Sequence, residues 1–526
     1  MNRQLLLGAA GWLALATAVG AQTPTPPNSN SSVEAPLTDS NARNSDVTGP
    51  SGTPAEAPGS GLDTLVSADE TAPAPQAPPA STGNPLLDRL NALEAKVNAL
   101  ETRNRQLEAQ ATETATRVGK VEVRAAKGVQ SGVAPTFSDV TDSFTFHPRG
   151  TFQIDYAAYN NRAGGYDFNN GTDIRRARFG FDGTAFKVFK YRIEAEFVKN
   201  TVNLLDAYIQ YTGVPKFVVT VGQHKAPFGL EANSTDALNT FLERGMETNA
   251  FGAVGAERRV GASLAYQTTK LNAAIGLFGA GEGVQRNATT PDETYGVNGR
   301  VTWEPVLDTG RVVHVGASAY HVSHIAAKTL TNIGDRPGTR VDNGLIEAVT
   351  LAPVTTGAVD QRTRGVRAAT FLGAEGAVVY GPFSVQGEYG HLNVDRYGFV
   401  PSANFEGFYA FATFFLTGES RVFKNGVVDR IKPFNDFNYG GGHWGAFELA
   451  ARYDRLDLTD RDLSPLTRRA TTLTGGLNWY LNPNTRFIFN YIRFKGTNSP
   501  LVATPATVFG TTAKGDAFAS RLQFDF

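Results

Sequence analysis

No cysteine occurs in the 526 residues, and methionine occurs only twice. Neither a disulfide framework nor a thiolate metal site is therefore available. The seven histidines (His147, His224, His314, His321, His324, His391 and His443) show no HExxH or similar ligand spacing and form no local motif with serine. That pattern points to no metal site and argues against a membrane-embedded serine hydrolase. An excess of one charge is missing too: Lys+Arg 49 against Asp+Glu 50 leaves −1, which speaks against a general nucleic-acid binder. The GAGEG run at 279–283 lacks the Lys-Ser/Thr of a phosphate-binding loop and reads as a loop tip, and no cofactor is implied elsewhere. Beyond the N-terminal stretch no segment stays apolar for 18 residues. Any lasting attachment to a membrane then cannot rest on helices.

What the chain does contain is glycine, 55 residues, and phenylalanine, 34, a mixture that suits many strands and tight turns. Residues 1–21 read as a secretory signal: Arg3 is followed by the apolar LLLGAAGWLALATAV and by the small-residue site Val19-Gly20-Ala21 before Gln22. The alternative is an uncleaved anchor, for which the apolar stretch is short. Residues 22–83, with TPTPPNSNSS and TAPAPQAPPAS, carry too little apolar surface to offset ordering entropy and read as a flexible linker.

Residues 84–125 change character. Leu90, Val97, Asn104, Ala111 and Val118 occupy heptad position a, and Leu86, Leu93, Leu100, Leu107, Thr114 and Val121 occupy d. Lys96 with Glu101, and Arg103 with Glu108, pair opposite charges across g and the next e, which favours parallel neighbours. The spacing predicts a coiled coil, the alternative being one amphipathic helix packed on a globular domain. The pattern leaves two strands or three open.

From residue 144 to 526 the period becomes two. Phe152, Ile154, Tyr156 and Ala158 alternate with Thr151, Gln153, Asp155 and Ala157; Tyr191, Ile193, Ala195 and Phe197 alternate with Arg192, Glu194 and Glu196. Sixteen such segments follow one another, the first near 144–159 and the last at 513–526. Short turns, as at 213–216, 380–382 and 481–484, alternate with longer polar loops such as 224–257 and 322–364. Two connections break the rule, a long one at 418–442 among the short turns and a very short one at 199–202 among the long loops. The chain stops in mid-strand on AFASRLQFDF, with Phe518, Leu522, Phe524 and Phe526 on one face and Arg521, Gln523 and Asp525 on the other. Such an end is held only if the last strand pairs with the first. The reading is an all-β, 16-stranded antiparallel transmembrane β-barrel, its outer face against lipid and its inner face against water.

The stretches IRRARFGFDGTAF (174–186), LDAYIQYTG (205–213), VGQHKAPFGLE (221–231), GAEGAVVYGPFSVQGEY (373–389), FLTGESRVF (415–423), WGAFELAARYDRLDL (444–458), TGGLNWYLNPNTRFIFNYI (474–492) and the terminal RLQFDF resemble, in order, the phosphate-selective porin O and P family of Gram-negative outer membranes. The resemblance implies a homotrimeric porin in outer-membrane lipid, often preceded by a periplasmic coiled coil, with no enzymatic activity. Its partners are small solutes, or anions such as phosphate, and no nucleic acid. A coil in the periplasm is also placed to touch peptidoglycan. The heptads would then zip a parallel trimer. The family's arginine ladder carries over onto Arg175 and Arg176, with Arg178 in the same run, and its lumenal aspartate onto Asp206. The inward-folded connection after LTGE carries over Lys424 and Lys432, and the constriction loop adds Lys225 and Arg244.

The chain departs from the family pattern in two places. Asp236, Ala237 and Leu238 stand where a lysine is expected before the LER motif, and Thr151 replaces an early lumenal arginine. Between His224 and Glu257, two bases face Glu231, Asp236, Glu243, Glu247 and Glu257, leaving the loop at −3. General diffusion of small solutes therefore stands beside phosphate selectivity as the expected function. A different class of reading is an envelope tether, in which the barrel mainly anchors the coil.

Overall fold

A computed structural model describes residues 83–130, 134–163, 167–279, 294–323, 333–342, 344–347, 366–396, 401–463, 465–498 and 512–526, with side chains described outside 117–130 and 162–163. The expected signal segment, most of the linker and most of the GAGEG run lie outside these residues.

Helix α1 runs from Pro85 to Gly128. Asn84 caps it, its Oδ1 accepting the N–H of Leu86 at 3.2 Å, and Asp88 adds an acid to the first turn. Leu86, Leu90, Leu93, Val97, Leu100 and Leu107 are all exposed, so the heptad stripe is an open apolar face.

Sixteen long strands form a second unit. They are β1 Thr145–Ala163, β2 Gly171–Ala185, β3 Phe189–Val198, β4 Thr201–Tyr211, β5 Phe217–Lys225, β6 Arg258–Gln267, β7 Leu271–Phe278 and β8 Tyr295–Asp308. The second half comprises β9 Arg311–Ser323, β10 Val366–Tyr380, β11 Phe383–Arg396, β12 Ala403–Phe415, β13 Ala446–Asp457, β14 Arg469–Asn482, β15 Thr485–Thr497 and β16 Ala513–Asp525. Each pairs antiparallel with its sequence neighbours, and β16 pairs with β1, so the sheet closes. Closure leaves no unpaired edge along the wall, which a bilayer demands. The strand count and spans agree with the period-two reading to within four residues at every end.

The two faces differ as the alternation requires. On β1, Thr151, Gln153, Asp155 and Ala157 are buried while Phe152 is exposed; on β3, Glu194 is buried while Ile193 and Phe197 are exposed. Leu277, Leu372 and Leu473 are 67%, 59% and 56% exposed on the outside. No water-soluble protein carries so continuous an apolar band, but lipid accepts it. Trp479 stacks on Phe447 and Phe487 (5.7 Å each), and its indole N–H donates to the Trp444 carbonyl at 2.6 Å. These rings, near the short turns, form part of an aromatic girdle with a polar handle.

The C-terminus is fastened at the same end. Phe526 exchanges backbone hydrogen bonds of 3.0 Å with Gly150 in both directions. A Cβ at position 150 would lie 2.6 Å from the Phe526 ring, so only glycine lets that ring settle against β1. At the opposite end, Lys199 and Asn200 (φ 55° and 58°) make the two-residue turn foreseen at 199–202, with the twist that a tight hairpin prefers.

Candidate functional site

The lumen is filled unevenly, and the uneven filling creates the site. After β5 the chain turns inward at Gly229 (φ +54°), and the Glu388 carboxylate accepts the N–H groups of Leu230 and, at 3.1 Å, Glu231. Helices α2 Leu230–Asn233 and α3 Met246–Gly255 belong to this loop. Phe228 and Phe251 pack on Phe371 (4.7 and 6.1 Å), the Tyr320 hydroxyl donates to the Phe251 carbonyl (2.7 Å), and Arg452 lies 4.5 Å over the Phe241 ring. These contacts fasten the loop to the β9–β13 wall. The buried phenylalanines are what a water-exposed loop would not carry.

A second element arrives from the short-turn end. The long connection between β12 and β13 contains a hairpin, Val422–Lys424 with Val427–Asp429, which folds into the lumen. Arg421 donates to Thr240 Oγ1 (2.6 Å) and Glu448 (2.7 Å), and the Val428 N–H donates to Ser234 Oγ (3.3 Å). Loop and hairpin thus meet inside the barrel. The exception at 418–442 in the turn pattern is explained: its hairpin narrows the lumen.

Two chambers remain against the β1–β6 wall, of about 350 and 300 Å³. The first is lined by Arg175, Arg176, Arg178, Arg244 and Arg340, the second by Arg149 and Arg192, and both share Arg178, Lys225, Asp236 and Arg258. Together they present nine bases against six acids (Glu194, Glu196, Asp206, Asp236, Glu243 and Glu257), a formal surplus of three positive charges by residue type. Arg175 and Arg176 are sequence neighbours, yet both face inward. The β1–β2 register slips between Gln153 and Ile154, so Arg175 occupies a bulge and avoids the outward turn that strict alternation would impose.

Most of these cations are positioned by acids, and the rest by neutral acceptors. Arg175 donates to Glu243 at 2.7 and 3.1 Å, Arg178 to Glu196 (2.8 Å) and Asp236 (2.6 Å), and Arg176 to Gln153 (2.7 Å). Arg258 holds Asp206 at 2.8 Å, Arg244 reaches Asp236, and the Lys225 ammonium donates to the carbonyls of Ala232 and Ser234 (2.8 and 2.9 Å). Asp182 pairs with Arg149 and Arg192 at 2.9 Å each.

The structure brings six of the eight expected residues to the chambers: Arg175, Arg176, Arg178, Asp206, Lys225 and Arg244. Lys424 and Lys432 are exposed on the turn-side connection, outside both chambers. Arg149, Arg192, Arg258 and Arg340 escaped the sequence reading. Arg149 shares the inward parity of Thr151 and Gln153, a signal that was available; Arg340 sits in a long loop without periodicity.

The loop's −3 balance does not set the chamber's charge. Burial pushes the Glu231 carboxyl up to about 7, with Arg452 opposing and Glu388 adding to the rise. Glu247 is raised well above the usual range by burial and by Glu388. Neither residue lines a chamber. Asp236 and Glu243, although buried, are held well below the ordinary carboxylate range by their arginines. Of the loop's acids, Glu231 and Glu247 are thus turned away from the chambers, while Asp236 and Glu243 aim guanidinium groups.

A pH dependence follows from Glu231. Its folded value exceeds the ordinary 4.5, so the docked loop binds more protons than the released loop between about 4.5 and 7. Docking is firmest below that window and weakens as pH rises through it. Amide exchange across 226–257, corrected for intrinsic rates, is expected to quicken from pH 5 to pH 8, and to do so less steeply in Glu231→Gln. An identical pH trend in the variant would rule Glu231 out as its source.

The family description "Phosphate-selective porin O and P" matches residues 146–526. Porin O of Pseudomonas aeruginosa is 27% identical over 417 residues, covering 73% of this chain and 89% of that protein. An uncharacterized protein of Caulobacter vibrioides is 28% identical over 397 residues, covering 73% and 74%. Among solved structures, an anion-selective porin from Comamonas acidovorans aligns at 14% identity and a TM-score of 0.47, over 73% of this chain and 100% of that one. With a closed wall of sixteen strands, a lumen narrowed from both ends and a family match over the whole barrel, the chain belongs to the phosphate-selective porin O and P family and forms an outer-membrane channel.

Proposed function

We propose that this channel passes small hydrophilic solutes with a preference for anions, phosphate among them, and catalyses no reaction. The observation that carries this reading is the surplus of three positive charges in the two chambers. Guanidinium forks take oxyanions bidentately, whereas ammonium groups act as point charges. Several moderate sites in series let an ion enter and still leave. Arg340 and Arg175 begin the series on the loop side; Arg176, Arg178, Arg258 and Lys225 continue it; Arg192 and Arg149 end it near the turns.

Lys424 and Lys432 belong to this proposal as vestibule charges. Being exposed, they act through screened solvent. Lys432→Glu is expected to move the reversal potential toward cations by less than any reversal inside a chamber; an unchanged potential would place it away from the solute path. The test of the main reading is the wild-type reversal potential across a salt gradient in a planar bilayer, with inorganic phosphate as blocker. An anion-selective potential with block by phosphate is expected, and a cation-selective one refutes the preference.

The open apolar stripe of α1 supports a further part of the proposal, a parallel coiled coil that joins three copies in the periplasm. Cross-linking through cysteines introduced at heptad positions is expected to trap trimers; dimers would change the stoichiometry.

A further inference from the structure

Asp236 is in an unusual position for an acid. It is 3% exposed and belongs to the short residue set shared by both chambers. Its Oδ2 accepts from Arg178 Nη1 at 2.6 Å and lies 3.5 Å from Arg176 Nε, while its Oδ1 accepts from Arg244. Three guanidinium groups therefore converge on two oxygens, and the donors outnumber the acceptors. The Nε groups of Arg176 and Arg244 are enclosed and have no hydrogen-bond partner among the described residues. Donors in that state hold unused capacity for an oxygen anion.

The backbone beside Asp236 is anchored independently. The Ala237 carbonyl accepts from Arg486 (2.7 Å) and from Gln523 (2.8 Å), both on the barrel wall. The carboxylate can leave its partners by side-chain rotation while the loop stays docked.

Resting on the anion preference above, we propose that Asp236 is a tethered counter-anion, which occupies the arginine cluster between the chambers and competes with small oxyanions for the same donors. A permeating oxyanion gains the guanidinium bonds only as the carboxylate gives them up. The competition limits how tightly the solute is held and shortens its stay, as throughput requires.

The experiment compares wild type, Asp236→Asn and Arg244→Gln in planar bilayers, reading single-channel conductance and block of chloride current by inorganic phosphate. Asp236→Asn keeps the side chain's size and removes its charge. Phosphate block about tenfold tighter is expected, as for the loss of one strong competing contact. Arg244→Gln removes one donor and is expected to weaken phosphate block several-fold. Should Asp236→Asn fail to assemble, Arg244→Gln carries the test, and unchanged block there overturns the proposal. Block unaltered or weakened in Asp236→Asn also overturns it. So does a large rise in conductance with loss of block, which would mark Asp236 as a latch for the loop. A cation-selective, phosphate-insensitive wild type removes the anion preference and this proposal together, whereas an anion-selective wild type with an unresponsive Asp236→Asn removes only the role of Asp236.

Discussion

Arg521→Met is expected to destabilise the barrel by about 3–5 kcal/mol, the size of effect seen when one member of a buried ion pair is removed. Arg521 sits on β16 directly opposite Asp155 on β1, across the seam that closes the sheet. Its guanidinium donates to both Asp155 oxygens at 2.6 and 2.7 Å, and also to the Leu242 carbonyl (2.5 Å) and Glu243 (3.0 Å). Both side chains are 1% exposed. One group therefore joins the two ends of the wall and ties the constriction loop to them. Methionine fills similar space but leaves the Asp155 charge unpaired. Unfolding in detergent, followed by the heat at which the barrel loses its compact gel mobility, is expected to shift sharply downward. Arg521→Met combined with Asp155→Leu is expected to recover much of the loss, since a packed apolar pair carries no stranded charge. A single variant that melts like wild type would show that the seam does not depend on this pair.

Reversing Arg178 and Arg258 together, each to glutamate, takes the chamber lining from +3 to −1 and is expected to turn an anion-preferring channel into a cation-preferring one. Both residues line both chambers, so any solute that follows this wall passes them. Within a narrow, poorly screened passage a charge reversal acts at close range, where salt attenuates it least. The reversal potential in a salt gradient is expected to change sign. Retained anion preference would place the solute path elsewhere in the barrel. The same pair of reversals outside the lumen would be screened, so the sign change also reports on location.

The wall of this protein was legible in its sequence because lipid and water act on alternate residues. Nothing subtler than parity is needed to place Phe152 outside and Gln153 inside, or to foresee that Phe526 must be held by the first strand. The site was legible in part. Arg175 and Arg176 were found through the family motif, but their shared inward direction depends on a bulge opposite Gln153 and Ile154, and a register slip leaves no mark on period-two patterning. The count of acids in 224–257 misled in a specific way. It treated Glu231 and Glu247 as facing the solute, whereas Glu231 accepts the Gly245 N–H within the loop and Glu247 faces Glu388 on the far wall. Which side of an irregular loop meets water is decided by tertiary packing, and a linear tally of charge carries no record of it. The unexpectedly long connection at 418–442 was the one irregularity in the turn pattern that did announce its function.

Loop 226–257 enters the barrel from one aqueous compartment and the 422–429 hairpin from the other, and they touch through Ser234 with Val428 and Thr240 with Arg421. A force along the pore axis, whichever compartment it comes from, presses one of these two parts against the other as well as against the wall. The bottleneck thus behaves like an arch with an abutment on each side.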